Sequence, residues 1–324
     1  MTTAPAAVLF PRQPSHADRV LPFARAAMAG GARRLWLGQS LAAETHQVFA
    51  YLAGAGVRHP VGLGVTLVPL RHPFEAALQA RSLALLTGQP VVAGYGAATP
   101  DLVTALRGKP YARPAAAAAG YARAVRDILA GVTDRHDCEA CVSAVRLPGS
   151  PHPLVEIGLG VLRPAMARAA GEVADVAVTW MTPALYVRDV LRPALAAGAV
   201  HRRRAPRIAT VVHAAVARSG RDPRRLALAA AEGHLRAKHY TDMLCRAGVP
   251  VNPADPVSAA AALVETGVYA YGSAAEIAAR VREYRTAGVD EVILNPAGVA
   301  LTEGDAAAIT DLTDILAAIG DVRG

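Results

Sequence analysis

Two apolar segments with one helical segment between them constrain the fold of this chain most. Residues 61–70 (VGLGVTLVPL) are typical of a strand buried on both faces, and residues 90–96 (PVVAGYG) predict a second such strand. The segment FEAALQARSLALL between them has apolar residues at helical spacing, with Pro73 before it and Gly88 after it. The pattern predicts a parallel β-α-β unit, whose strands end at the face where such folds bind ligands.

The same alternation continues along the chain. Six further strands are predicted at residues 6–12, 33–39, 153–161, 175–181, 206–217 and 288–294. Helices are predicted at 16–29, 44–54, 114–131, 165–174, 183–197, 222–247, 257–267 and 309–320, and at a segment whose start has Ser273 and Glu276 as a capping box. Eight strands alternating with helices favour a closed α/β barrel, the (β/α)8 TIM barrel, over an open doubly wound sheet.

The length of 324 residues suits a single barrel domain covering residues 1–324. Residues 134–152 are loop-like and are predicted to be an insertion that could hold a short hairpin. No apolar run reaches the roughly 20 residues that a membrane span needs. The first residues lack a basic segment followed by a long apolar stretch, so we expect no signal peptide. Three cysteines do not make a secreted disulfide framework, so we expect a reduced, cytoplasmic protein.

The chain is basic, with 34 Lys and Arg against 26 Asp and Glu and a formal net charge of +8. No recognition module and no interleaving of aromatic and basic residues occurs, which disfavours nucleic-acid binding. The charge fits a solvated surface, and it would also suit an anionic cofactor or substrate. Walker, HExxH and GxSxG motifs are absent from the sequence, so ATP hydrolysis, zinc proteolysis and serine hydrolysis lack support.

Cys138 and Cys141 form a CxxC motif, with His136 and His152 nearby in the sequence. The spacing does not match a zinc pattern, so we predict no metal site. A redox CxxC normally starts a helix in a thioredoxin-like unit, and no such unit is predicted here. We interpret the motif as two cysteines of a loop insertion.

Four segments carry a family resemblance, and they occur in the same order as in the family. They are GVTLVPLRHP, VVAGYG, LRPAMARAAGEVADVAVTWMTP and YGSAAEIAARVREYRTAGVDEVIL. The chain resembles the luciferase-like flavin and deazaflavin oxidoreductases, most closely an actinobacterial branch that uses coenzyme F420. The resemblance implies a TIM barrel, a homodimer, and hydride transfer between F420 at the barrel mouth and a small organic substrate. The alternatives are an FMN-dependent monooxygenase of the same family and a non-catalytic relative that binds the cofactor.

The resemblance also implies where the cofactor contacts the chain. Family members have a non-prolyl cis peptide in strand three, behind the cofactor ring, and the matching bond here is Gly64–Val65. Glycine at 64 would let the backbone approach the ring, and small residues after strand four would let amides reach a phosphate. The implied cofactor contacts are Gly64, Val65, Thr66, Gly94, Tyr95, Gly96, Ala97, Leu162, Arg163 and Trp180.

One of these contacts departs from the family pattern. Family members commonly read Leu-Gly-Pro-Arg-Met after strand five, whereas residues 162–166 read Leu-Arg-Pro-Ala-Met. Either Arg163 supplies a charge to the phosphate, or the cofactor lies differently. Trp180, at the end of strand six, would either line the pocket or close the core.

The acid–base chemistry is the larger departure. Many family members place an acidic residue and a histidine at the end of strand two, where this chain has Gln39 and Ser40. Neither is a good general acid at neutral pH, although the cofactor itself supplies the hydride. A proton could instead come from His72, Glu44, His46 or water. The candidate catalytic residues are therefore Gln39, Ser40 and His72, and residues 10–13 are expected to form the floor of the substrate side.

Overall fold

Short strands pair in parallel to close a ring. The computed structural model describes residues 6–132 and 135–321, so the expectations for residues 1–5 and for residue 134 lie outside the described residues. The strands are β1 Ala7–Leu9, β2 Leu35–Leu37, β3 Val61–Leu67, β4 Val91–Gly96, β5 His136–Cys138, β6 Cys141–Ser143, β7 Val155–Gly160, β8 Val176–Trp180, β9 Arg207–Val216, β10 Ala270–Gly272 and β11 Glu291–Asn295.

Eight of these strands form the barrel, in the order β1-β2-β3-β4-β7-β8-β9-β11, and β11 pairs with β1 to close it. This confirms the predicted TIM barrel. The short β10, which was not predicted as a strand, extends the sheet at the far end of β9, where Ala270 pairs with Ala214. Strands β5 and β6 form a separate antiparallel hairpin inside the predicted insertion.

Helices surround the barrel. They are α1 Leu21–Ala29, α2 Thr45–Gly54, α3 Pro73–Thr87, α4 Pro100–Arg107, α5 Pro114–Leu129, α6 Pro164–Val173, α7 Ala184–Tyr186, α8 Arg192–Gly198, α9 Pro223–Leu235, α10 Lys238–Arg246, α11 Pro256–Glu265, α12 Ala274–Thr286, α13 Ala297–Thr302 and α14 Asp305–Asp321. A π-helical turn, Val187–Leu191, joins α7 to α8. The capping box of Ser273 and Glu276 is present at α12. Within the described ranges, no helix combines the length and the hydropathy needed to cross a bilayer.

The long helix predicted at 222–247 is two helices. The backbone of Ala237 is extended (φ −90°, ψ 113°), which interrupts the helix after Leu235. The carbonyl of Ala237 accepts from the amides of Tyr240 (2.9 Å) and Thr241 (3.3 Å), so a second helix starts there. The prediction was wrong at this point because the break at Ala237 has no glycine or proline of its own, and the nearest glycine, Gly233, lies inside the first helix.

A tryptophan fills the interior of the barrel. Trp36 of β2 is fully buried, among inward-facing Ala7, Val178 and Val211. Its Nε1 donates to Glu291 Oε1 at 2.7 Å, and Arg34 pairs with the same carboxylate. Arg33 pairs with the other oxygen of Glu291 at 3.3 Å, so the charge of this buried carboxylate is compensated.

Two glycines of β3 make room for this indole. A Cβ atom added at Gly62 would lie 2.3 Å from Trp36 Cδ2, and one added at Gly64 would lie 2.9 Å from Trp36 Cε3. Real side chains do not approach so closely. The small size of both residues is therefore required by the barrel interior, a requirement that the sequence did not reveal.

We expect Gly62→Ala to destabilise the protein by about 1–3 kcal/mol, because the added methyl group forces Trp36 to move in a filled core. Gly54 is the matched control, since a Cβ there meets nothing within 4 Å. Gly54→Ala should be neutral or slightly stabilising. The free energy of unfolding in urea would be measured for both variants, and equal values would contradict this account of the barrel interior.

Candidate active site

A cavity of about 780 Å³ opens at the carboxyl ends of the barrel strands. Its walls come from the ends of β2, β3, β4, β7 and β8, from the loops that follow β4 and β7, and from α9 and α10. This size and position are typical of small-molecule and cofactor sites. A second concavity, of about 700 Å³, is lined by residues such as Pro183, Gly267 and Arg280, and no residue of a barrel strand lines it.

Strand β3 bulges where it reaches the cavity. The peptide bond between Gly64 and Val65 is cis, as the family resemblance implied, and the pairing of β3 with β4 shifts register between Leu63 and Thr66. The bulge brings Val65 to the cavity wall.

Glycines of the neighbouring strands surround the Val65 side chain. A Cβ atom at Gly96 would lie 2.7 Å from Val65 Cγ2, and one at Gly94 would lie 3.2 Å from Val65 Cγ1 and 2.2 Å from the carbonyl oxygen of Leu63. The expectation was that small residues here allow amides to reach a phosphate. The structure shows that Gly94 and Gly96 make room for the bulged strand, and Gly96 also lines the cavity together with Ala97.

Gln39 lines the cavity and supports the bulge. Its backbone amide donates to the carbonyl of Val65 at 3.0 Å. Its side-chain oxygen accepts from the amide of Leu67 at 3.3 Å, and its side-chain nitrogen donates to the carbonyl of Ser40 at 2.8 Å. Both ends of the Gln39 amide therefore already have backbone partners.

The other two predicted catalytic residues do not line the cavity. Ser40 is buried, and its hydroxyl accepts from the amide of Ala42. His72 is the N-cap of α3: its Nδ1 accepts from the amide of Phe74, and its Nε2 lies 3.0 Å from the carbonyl oxygen of Val142 in the hairpin.

Glu44 and His46 also have structural partners. Glu44 is the N-cap of α2, and one of its carboxylate oxygens lies 2.8 Å from His46 Nδ1. Burial opposes ionisation, but the hydrogen bond and charge of His46, the amide of Gln47 and the charge of Arg71 lower the pKa of Glu44 to about 2. Glu44 is therefore an ionised cap rather than a proton donor.

Residues 10–13 lie away from the cavity as well. Phe10 packs edge-on against Phe23 in the outer core. Arg12 pairs with Asp305, and Gln13 accepts from the amide of Leu41.

Two of the predicted cofactor contacts, Tyr95 and Thr66, do not face the cavity. Successive residues of a strand face opposite sides, so Val92, Gly94 and Gly96 face inward while Tyr95 faces the helices. Tyr95 packs edge-on against Tyr121 at 5.3 Å. Thr66 is fully buried and donates to the carbonyl of Gly94. Neither residue lines the cavity.

Trp180 lines the cavity and belongs to an aromatic cluster that the sequence analysis missed. His234 of α9 stacks on the indole of Trp180 at 5.1 Å, and Tyr240 of α10 meets His234 edge-on at 4.8 Å. His213, an inward position of β9, lies 5.8 Å from Trp180 and stacks on Tyr269. Within the described part of the chain, Trp180 Nε1 and His213 Nε2 are buried without a hydrogen-bond partner. Trp180 lines the cavity and His213 lies behind it, so both unpartnered nitrogens are buried next to the cavity rather than exposed in it.

The histidines of this cluster are neutral at pH 7. Burial, with a smaller contribution from the charge of His239, lowers the pKa of His234 to about 4. Burial, with a smaller contribution from His234, lowers the pKa of His213 to about 3. A neutral imidazole can donate a hydrogen bond from one nitrogen and accept at the other.

The rim of the cavity is basic. Arg163, at the start of α6, and Arg246 of α10 both pair with Asp242, at 3.3 Å and 3.1 Å. Lys238, at the start of α10, lines the same rim and has no ion pair among the residues that the structure describes. Three cations thus face one carboxylate, which leaves a site suited to an anionic group.

The described residues contain no group of three or more His, Cys, Asp or Glu side chains placed to hold a metal ion. The cysteine pair of the hairpin is better organised than a loop insertion suggests.

The fold is a (β/α)8 barrel with a cavity of cofactor size at the carboxyl ends of its strands. Residues 3–291 match the family model described as luciferase-like monooxygenase, and the chain belongs to this family. The resemblance stated from the sequence is therefore confirmed at the level of the family. No curated protein sequence is significantly similar to the chain.

Solved structures with the same fold include enzymes of both cofactor types. An F420-dependent secondary alcohol dehydrogenase in complex with an F420-acetone adduct is 15% identical, with a TM-score of 0.72, and covers 97% of this chain and 99% of that one. The coenzyme F420-dependent tetrahydromethanopterin reductase of Methanopyrus kandleri is 15% identical, with a TM-score of 0.72, and the match covers 98% of each chain. The oxygenating constituent of 3,6-diketocamphane monooxygenase from Pseudomonas putida, in complex with FMN, is 15% identical, with a TM-score of 0.71. The match covers 98% of this chain and 99% of that one.

The low pKa values of His213 and His234 predict a stability that depends on pH. In the unfolded chain both titrate near 6.5, so the unfolded state binds more protons than the folded state between pH 6.5 and about 4. The contribution of the two neutral histidines to the free energy of unfolding is therefore complete above pH 6.5 and is lost as the pH falls toward 4. At pH 5 we expect a loss on the order of 1–2 kcal/mol for each histidine.

Urea denaturation at pH 7 and pH 5 measures this loss. His234→Gln should lose less stability between the two pH values than the parent protein does, whereas a variant of the exposed His201, His201→Gln, should behave as the parent. An identical pH dependence in all three proteins would show that His234 is not held neutral in the folded state.

Proposed function

We propose that the protein is a coenzyme F420-dependent oxidoreductase that transfers a hydride between the deazaflavin and a small organic substrate. The observation that carries the proposal is the two-part cavity. Its inner part is apolar, around Val65, Val178 and Trp180, and its rim carries Arg163, Lys238 and Arg246. An aromatic ring system with an anionic tail matches both parts. As the family resemblance implies, we propose that the protein acts as a homodimer.

The residues at the inner part fit the ring. Val65 is held forward by the β3 bulge, and its position is fixed by the amide of Gln39 and by the space at Gly94 and Gly96. Val161 and Leu162 continue the apolar wall at the end of β7. These side chains would exclude water from one face of the ring and orient the other face toward substrate. When bound, the deazaflavin supplies or accepts the hydride.

The residues at the rim fit the tail. Coenzyme F420 carries a phosphate and a glutamate tail, both anionic. Arg163 lies at the N-terminus of α6, where helix amides also favour an anion, and Lys238 starts α10. This is the first of the two interpretations of Arg163 that the sequence left open: it supplies a charge to the phosphate.

We propose that His234 is the polar side chain that faces the substrate. It lines the cavity, lies against Trp180, and is neutral at pH 7. Its neutral imidazole can hydrogen-bond a carbonyl or hydroxyl group of the substrate and so orient and polarise it. Ser40 and His72 are given no catalytic role, because neither reaches the cavity. Gln39 is retained as a cavity contact that shapes β3.

An FMN-dependent monooxygenase is the second candidate. The family description and the FMN-bound diketocamphane enzyme support it, and the phosphate of FMN would meet the same rim. Oxygen consumption separates the two, because reduced deazaflavin reacts poorly with oxygen. A relative that binds a cofactor without catalysis would show binding and no turnover with any substrate tested.

We expect F420 to bind more tightly than FMN in titrations followed by tryptophan fluorescence. The chain has two tryptophans, of which Trp180 lines the cavity and Trp36 is buried in the barrel. Quenching should therefore come mainly from Trp180 and should be much reduced in Trp180→Phe. Tighter binding of FMN would overturn the choice of cofactor, and no binding of either would overturn the proposed function.

We expect Arg163→Ala to weaken F420 binding by about tenfold, since a charge-assisted contact to phosphate contributes on the order of 1.4 kcal/mol. The deazaflavin chromophore without its phosphate-bearing tail should bind the variant and the parent equally. Arg224→Ala is the matched control, because Arg224 is exposed and pairs with Glu265 away from the cavity. Equal losses for F420 and for the tail-free chromophore would place Arg163 outside the phosphate site.

A further inference from the structure

The hairpin of β5 and β6 holds two thiols face to face. Cys138 and Cys141 are opposite each other in the antiparallel register, and their Sγ atoms lie 3.1 Å apart. We propose that this pair is a reversible dithiol–disulfide site that reacts with low-molecular-weight disulfides and changes the cavity wall behind Tyr111.

The geometry favours a bond between the two sulfurs. Opposite residues of an antiparallel pair have Cα atoms about 4.5–5.5 Å apart, which lies within the range of disulfide-bonded cysteines. Only Glu139 and Ala140 separate the two cysteines, so the turn itself fixes their approach. The Cys138 side chain rests on α5 at Gly120, where an added Cβ would lie 2.7 Å from Cys138 Cβ. Glycine at 120 therefore leaves the space that the thiol occupies.

The two thiols differ in reactivity. Cys138 is half-buried, and Cys141 is buried. The hydrogen bond from Cys141 outweighs the effect of burial and, with the amides of Ala140 and Cys141 and the charge of His136, lowers the pKa of Cys138 to about 6. The same contact raises the pKa of Cys141. Cys138 is therefore the nucleophilic thiol, and Cys141 is the resolving thiol.

The reaction follows from this difference. The Cys138 thiolate attacks one sulfur of a disulfide RSSR, forms a mixed disulfide and releases RS⁻, which takes up a proton. Cys141 then loses its proton and attacks Cys138 Sγ, which releases the second RSH. The pair of cysteines loses two electrons and two protons in total, and RSSR is reduced to two RSH.

The turn of the hairpin is connected to the cavity. The carboxylate of Glu139 accepts from the amides of Ala112 and Arg113, and its carbonyl accepts from Arg107 at 2.7 Å. The guanidinium of Arg107 lies 4.7 Å from the ring centroid of Tyr111, and Tyr111 lines the cavity. A disulfide at Cys138 and Cys141 shortens the distance between the two sulfurs by about 1 Å. We expect this shortening to move the backbone of the turn at Glu139, which contacts residues 107–113.

The first experiment tests the site itself. Cys245→Ser removes the exposed third cysteine and leaves the pair. After treatment with oxidised glutathione, we expect both remaining thiols of this variant to resist alkylation in denaturant, and reduced glutathione to restore them. With Cys245→Ser as background, Cys141→Ser should accumulate glutathione on Cys138, and Cys138→Ser should react roughly tenfold more slowly. Free thiols, or glutathione retained on Cys138 of the intact pair, would overturn the proposal.

The second experiment tests the connection, without any cofactor. Amide hydrogen exchange of residues 107–114 is compared in oxidised and reduced Cys245→Ser protein. We expect oxidation to speed exchange in this segment about fivefold, a coupling of about 1 kcal/mol. Glu139→Gln, with Glu139 exposed on the turn, should still form the disulfide and should show a smaller difference. Equal exchange in the two states of the parent would overturn the connection to the cavity wall.

Discussion

The packing of Trp36 inside the barrel determines how the rest of the molecule is arranged. The indole occupies the interior beside β3, and Gly62 and Gly64 are small because a side chain at either position would overlap it. Its Nε1 is bonded to Glu291, which places a buried carboxylate inside the barrel. With this part of the barrel filled, the inward positions that line the cavity lie at the carboxyl ends of the strands, including Val65, Val178 and Trp180. The closed core and the open cavity are thus two parts of one barrel interior.

The bulge of β3 shapes the wall of the cavity beyond this filled core. Val65 is turned toward the cavity, and the glycines of β4 leave space around it. Gln39 donates its amide to the Val65 carbonyl and so ties the end of β2 to the bulge. A residue that resemblance suggested as catalytic is thereby part of the support of the site. The cavity wall near Val65 is apolar, whereas the rim carries the cations at the starts of α6 and α10 and at the end of α10.

The sequence was sufficient for the barrel and for the order of its strands, because buried parallel strands and helix caps leave local patterns. The position of the bulge at Gly64–Val65 was implied by the family resemblance alone, since a buried apolar strand gives no local sign of it. It was less informative about the site. Alternation along β4 already implied that Tyr95 and Gly94 face opposite sides, and applying it would have removed Tyr95 from the cofactor contacts. His234 could not be found in this way, because it comes to Trp180 through the packing of α9 on the barrel, a contact across 54 residues with no local signal. The hairpin thiols likewise needed the register of β5 and β6 to be seen as a pair.

The break at Ala237 separates a short helix from the body of the fold. Helix α10 has nine residues, Lys238–Arg246, and five of them line the cavity: Lys238, His239, Tyr240, Asp242 and Arg246. Barrel strands carry the apolar wall of the cavity, whereas this helix carries most of the charge at the rim. Substitutions confined to α10 can therefore change the charge of the cavity rim while every strand of the barrel keeps its sequence. The charge of the cavity rim and the stability of the barrel are consequently free to evolve on separate segments of the chain.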